Sequence, residues 1–260
     1  MVSISRDETV AEATIVEELL KFSEFEDFDR NRWKPRKKDI LIDWKINSSC
    51  DGFSFQGFDE ISGKPFIRLR KIPKTRDDAF LVAHEIEHII RHFDKQYLEF
   101  AKSSVITKYK DEEIVDLSIR LGSFFDDPIV NSFLHDVYHF NPIHFYTKVK
   151  MPETVKSLNS SGDLVDDLTR LKRALFYSQC ALEWDSIEDK VTLRKWRELK
   201  RLYQMKRPIV KRMGEELYSM AKEDGYDTLE KQTALFDKIA NKYTIDGIKI
   251  SSILRVNHVL

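Results

Sequence analysis

The chain has 260 residues, of which 42% are apolar and 33% charged, with a formal net charge of −1. That length and balance describe a globular protein with room for one large core or two small ones. Near-neutrality excludes a protein that binds nucleic acid over its whole surface, so any such contact has to be local. The N-terminal run MVSISRDETVAEATIVEELL places acids where a signal peptide needs an unbroken apolar core, and no stretch reaches the length of a membrane span. The expectation is a cytoplasmic protein with no membrane partner.

Residues 8 to 28 read as an amphipathic helix, with Val10, Ala13, Ile15, Val16, Leu19, Leu20 and Phe22 apolar among many acids. A basic cluster from Arg30 to Lys38 follows at once, and opposite charge blocks this close together make a solvated, self-paired surface. From Asp39 to Ile72 the period changes to two. Ile40, Ile42 and Trp44 alternate, then Phe53, Phe55 and Phe58, then the run from Phe66 to Ile72, with turn chemistry at Ser62 to Pro65. The pattern predicts a small sheet of about three strands, whose edge could add an extended peptide as a further strand.

The next segment carries the chemistry. Residues 81 to 90 read LVAHEIEHII and contain His84-Glu85-Ile86-Glu87-His88. Thr75 and Asp78 have the spacing of a capping box, and Val82, Ile86, Ile89, Ile90 and Phe93 recur at helical spacing. On such a helix His84 and His88 lie one turn apart on one face, roughly opposite the apolar stripe, with Glu85 beside them. Two imidazoles four residues apart can grip one cation, and a neighbouring carboxylate can serve as its base.

After His92 the helical pattern continues over residues 111 to 125 and 128 to 140, with breaks at Asn141-Pro142 and at residues 159 to 163. The domain division is placed between these breaks, giving residues 1–150 and 151–260. The remainder is helical by pattern, with one apolar seam through Leu164, Leu168, Leu171, Leu175 and Leu182. Trp196, Leu199 and Leu202 trace a second, and Met213, Leu217 and Met220 a third. Cys50 and Cys180 lie far apart and form no ligand-spaced cluster, so neither a disulfide framework nor a cysteine zinc site is indicated.

The H-E-x-x-H pentapeptide with apolar residues on both sides resembles the zincin metallopeptidases, over this helix and the segment to about residue 140. The resemblance implies a zincin-like N-terminal half of helix, small sheet, motif helix and ligand helix, and with the C-terminal half all-helical by pattern the expected fold is α+β. The resemblance also implies Zn2+ held by His84 and His88, Glu85 as general base, and a peptide or protein substrate.

A catalytic zinc takes a third protein ligand. His92 lies eight residues from His84, about 12 Å along the axis, too far to share an ion with it. The metzincin continuation is absent, because Arg91 and Asp94 stand where its Gly and third His belong. Gluzincins take an acid from a second helix, with an Asp or Asn four residues on. Asp127 with Asn131 fits that spacing, as does Glu112 with Asp116, and Asp126 or Asp116 itself is a further alternative. Asp127 is preferred as the metal ligand, although Pro128 would also suit a first helical turn capped by Asp127. His135, Tyr138, His139, His144 and Tyr146 are candidates for stabilising an oxyanion.

Two other functions fit the residues. One is a regulatory or interaction protein that keeps a zincin scaffold without turnover. The other is nucleic-acid binding through Lys190 to Arg212, where ten Lys or Arg stand against Glu198 alone, with Trp196 and Tyr203 interleaved. A solvated helix face is the simpler account of that stretch.

Overall fold

A computed structural model describes residues 7–49, 54–59, 61–96, 98–160, 166–185 and 190–257. Cys50, Phe53 and Leu164, singled out above, lie outside the described residues. The chain clusters into two compact units. The first comprises residues 1–95 and 130–142, the second residues 96–129 and 143–260.

In the first unit, strand β1 (Glu8–Thr9) leads into helix α1 (Glu12–Leu19) and helix α2 (Ser23–Phe28), which runs on into a π-helical turn, Asp29–Trp33. The single helix expected over residues 8 to 28 is therefore broken, with Phe22 extended at φ −101° and ψ 121°. Helical geometry gives the reason. Ile15, Val16 and Leu19 share one stripe, whereas Phe25 and Phe28 would fall on the opposite side of a straight helix. The break lets both sets reach the core, where Ile15, Leu19, Phe25 and Phe28 are all fully buried.

Strands β2 (Asp43–Ile46), β3 (Ser54–Phe58) and β4 (Pro65–Leu69) follow, and with β1 they form one mixed sheet in the order β1-β2-β4-β3. β2 runs parallel to β4, while β1 and β3 pair antiparallel. The three expected strands are present, and β1 adds a fourth from the segment read as helix. β4 alternates between buried and half-buried residues, as a strand with one covered face should. Ile40 is buried but lies ahead of the strand.

Helix α3 (Arg76–Phe93) begins with the expected capping box: the Thr75 hydroxyl accepts from the Asp78 amide, and the Asp78 carboxylate accepts from the Thr75 amide. Val82, Ile86, Ile89 and Ile90 are buried, but Phe93 is 43% exposed and leaves the stripe at the last turn. The basic cluster is largely self-paired, with Lys34 on Asp29 and Lys37 on Glu12. Arg32 is the exception to a purely superficial role. It makes a two-pronged bond to the buried Glu87 of α3, at 2.7 and 2.9 Å.

After strand β5 (Glu99–Lys102) comes helix α4 (Asp111–Tyr138), 28 residues without interruption. Two helices were expected here. Pro128 does not start a new helix but sits inside one, so Asp127 is not a helix cap. The cost is the hydrogen bond that Pro128 cannot donate to the preceding turn. α4 contributes residues up to Ile129 to one unit and from Val130 to the other.

The second unit is mainly helical. Helix α5 (Ile143–Phe145) passes through a π-helical turn, Tyr146–Lys150, into α6 (Met151–Ser160). Helices α7 (Asp167–Asp185), α8 (Lys190–Lys206), α9 (Pro208–Asp224) and α10 (Leu229–Lys242) follow. The Leu seam of α7 is buried at Leu168, Leu171, Leu175 and Leu182. α7 packs along α9 so closely that a Cβ on Gly214 would stand 2.4 Å from the Tyr177 ring.

The C-terminal half is not all-helical. Strands β6 (Thr244–Ile245) and β7 (Ile248–Lys249) form a hairpin, and after helix α11 (Ile250–Ile253) strand β8 (Leu254–Asn257) pairs antiparallel with β5. The hairpin turns at Asp246 and Gly247, whose φ values of 52° and 76° are those of a two-residue turn that favours an Asp-Gly pair. Among the described residues no helix is long and apolar enough to cross a membrane.

Candidate metal centre

The site is built on α3 and α4. One turn separates His84 and His88 on α3, and their Nε2 atoms face each other at 2.9 Å. His88 is buried, while His84 and Glu85 are half-buried. The face opposite the apolar stripe is therefore partly covered. Asp127 of α4 joins the pair. Ligand atoms of His84, His88 and Asp127 all lie within 4.8 Å of one another.

Neighbouring side chains orient two of these groups. Asn131, one turn after Asp127 on α4, places its side-chain oxygen 2.8 Å from His84 Nδ1. An amide oxygen can only accept, so Nδ1 carries the proton and Nε2 is left with its lone pair toward His88. On the other side, Gln179 Nε2 of α7 donates to Asp127 Oδ2 at 2.6 Å and to Glu183 Oε1 at 2.8 Å.

Glu183 in turn receives Lys150 at 2.7 and 2.9 Å. Burial opposes the charge on Lys150, yet the Glu183 carboxylate holds its ammonium above the ordinary lysine range. A buried polar relay thus runs from Lys150 through Glu183 and Gln179 to Asp127. Of its members only Asp127 was a candidate from the sequence; Lys150, Gln179 and Glu183 were not singled out. The legible sign was Gln179 and Glu183 at i and i+4 inside the apolar run of α7.

The donor set fits a metal. Two imidazoles and a carboxylate suit zinc, and outer hydrogen bonds to a ligand His and a ligand carboxylate are the usual means of fixing such groups. The other acids considered go elsewhere. Glu112 is exposed in the first turn of α4, Asp116 pairs with Lys172 at 2.8 Å, and Asp126 is buried outside the cluster. His92 stacks on Phe58 with ring centroids 4.1 Å apart.

No family model, curated protein or solved structure matches this chain. The chemistry of the site therefore has to be argued from its own side chains.

The candidates for oxyanion stabilisation have different surroundings. His135 Nδ1 donates to the Phe140 carbonyl at 2.9 Å and closes the end of α4. Tyr138 is packed edge-on against Phe28 and Phe133, and burial raises its phenol above the ordinary value. His139 is exposed in a left-handed turn at φ 59°, and His144 is exposed on α5. Tyr146 is fully buried near Glu183, and desolvation pushes its phenol well up.

The basic stretch of α8 and α9 also reads differently in three dimensions. Trp196 and Tyr203 are buried, with Trp196 centred 4.3 Å from the Trp184 ring and Tyr203 4.9 Å from that of Tyr177. They are core residues and offer no platform on which bases could stack.

Proposed function

We propose that the chain is a cytoplasmic zinc-dependent peptidase in which His84, His88 and Asp127 hold the metal and Glu85 is the general base. The observation that carries this reading is the convergence of the two histidine Nε2 atoms at 2.9 Å with the Asp127 carboxylate beside them. A bound zinc ion supplies a Lewis acid for the peptide carbonyl and makes water acidic enough to lose a proton near neutral pH.

The protein's own groups do the rest. Asn131 holds His84 in the tautomer whose Nε2 can coordinate, and Gln179 aims Asp127. Both histidines have to be neutral to bind, so metal affinity falls in acid. Glu85 takes the proton from the attacking water and returns it to the leaving amine.

Metal analysis of the purified protein tests the site, with about one zinc per chain expected. His84→Ala and His88→Ala should both lose it; full metal content in both variants would place the metal elsewhere. Glu85→Gln tests the chemistry. It should keep zinc and fold while peptide hydrolysis falls by about 10²–10⁴-fold. Wild-type protein that is fully metallated yet cleaves nothing in a broad peptide library would instead support a scaffold without turnover.

A further inference from the structure

The second unit contains a cavity of about 530 Å³ that the metal chemistry does not use. It lies among α4, α6 and α7, and its size is that of a small-molecule site. Four cations line it, Arg120, Lys150, Lys172 and Arg173, against the two acids Asp116 and Glu153.

These charges are unevenly matched. Lys150 is satisfied by Glu183 and contributes no surplus. Asp116 is shared, with Lys172 at 2.8 Å and Arg120 at 3.8 Å, so one carboxylate serves two cations. Arg173 donates to the Ser157 hydroxyl, a neutral partner, and among the described residues no carboxylate is in ion-pair contact with it. Glu153 is exposed at the rim. With Lys150 satisfied, the three cations Arg120, Lys172 and Arg173 face the two carboxylates Asp116 and Glu153, which leaves one positive charge in excess on the wall. A phosphate group presents three oxygens to Arg173, Arg120 and Lys172 together, where a carboxylate presents two, and it matches the planar guanidinium fork of Arg173. The apolar part of the wall is Phe145 and Phe176.

We infer that this cavity binds a phosphorylated small molecule, with the phosphate on Arg173, Arg120 and Lys172 and the apolar body against Phe145 and Phe176. The inference does not depend on the peptidase reading, because none of these residues belongs to the metal cluster.

Calorimetric titration of the full chain with phenyl phosphate, inorganic phosphate, benzoate and phenol tests it, before and after dialysis against a chelator. Phenyl phosphate should bind once per chain, at least tenfold tighter than the other three, with or without metal. Arg173→Met should weaken that binding at least tenfold and leave the ligand-free unfolding midpoint unchanged; Lys172→Gln provides the same test should Arg173→Met fail to fold. Equal binding by the folded variants, loss of binding on metal removal, or no binding of phenyl phosphate would each overturn the inference. Inorganic phosphate binding as tightly as phenyl phosphate would overturn the organic ligand.

Discussion

The side-chain oxygen of Asn131 stands 2.8 Å from Nδ1 of His84, a contact made when Nδ1 donates and Nε2 keeps its lone pair. Asn131→Ala should lower zinc affinity by about 10–100-fold, the usual effect of losing such an outer hydrogen bond. Competition against a chromophoric chelator measures it. Unchanged affinity would mean that the tautomer is held some other way.

Gln179 bridges two carboxylates, Asp127 at 2.6 Å and Glu183 at 2.8 Å. Gln179→Leu keeps the volume and removes the donor. Zinc should bind at least about tenfold more weakly, because Asp127 is no longer aimed. Denaturant unfolding of the metal-free protein should show a loss of about 1–3 kcal/mol, the scale of leaving a buried acceptor unpaired. A variant as stable and as tightly metallated as wild type would show that Gln179 only fills space.

The Arg32–Glu87 pair offers a double-mutant test. Glu87 has a side chain only 3% exposed, and Arg32→Met removes its two-pronged guanidinium partner. The single change should cost about 3–5 kcal/mol, and Arg32→Met with Glu87→Leu should recover most of it. Unfolding curves for the two variants make the comparison. Equal losses would show that the ion pair is not the main contribution of these residues.

Packing of α7 on α9 sets a third stability prediction. Gly214→Ala would place a methyl group against the Tyr177 ring, at 2.4 Å from its nearest atom. Helix propensity favours alanine by about 1 kcal/mol, but overpacking costs about 1–3 kcal/mol, and this contact is too short for the ring to ignore. The midpoint of thermal unfolding should fall. A rise would mean that the helices separate without penalty.

Burial pushes the Cys180 thiol up to about 12. The native protein should therefore leave Ellman's reagent untouched at pH 8 as far as Cys180 is concerned, and react there only on unfolding. The sign of the pH effect follows. The folded value lies above the ordinary 9.0, so this stabilising contribution is complete below pH 9 and is lost as pH climbs from 9 to 12. Cys180→Ala should flatten the alkaline decline in stability over that window.

Local rules were enough for part of this architecture. The Thr75–Asp78 capping box marks the start of α3, and the spacing of Val82, Ile86, Ile89 and Ile90 marks its buried side. Where two local rules compete, the sequence is ambiguous. Pro128 is favourable in a first turn and tolerated within a longer helix, and only tertiary packing decides that α4 runs through it. The β6–β7 hairpin was legible in Asp246-Gly247 between Ile245 and Ile248, but a strong helical pattern on the preceding residues masked it. The relay from Lys150 to Asp127 lay beyond any short-range pattern, since residues 127, 150 and 179 meet only through the packing of helices.

Because the first unit takes its final segment, residues 130–142, from beyond a stretch that belongs to the second, its completion is delayed during synthesis. His84 and His88 emerge from the ribosome about 40 residues ahead of Asp127 and Asn131, an interval of about 2–8 s at ordinary elongation rates. Through that interval a nascent chain holds two imidazoles without the carboxylate or the amide that would complete their surroundings. On the proposed function, metal loading would be tied to a late step of biogenesis, after α4 has been made.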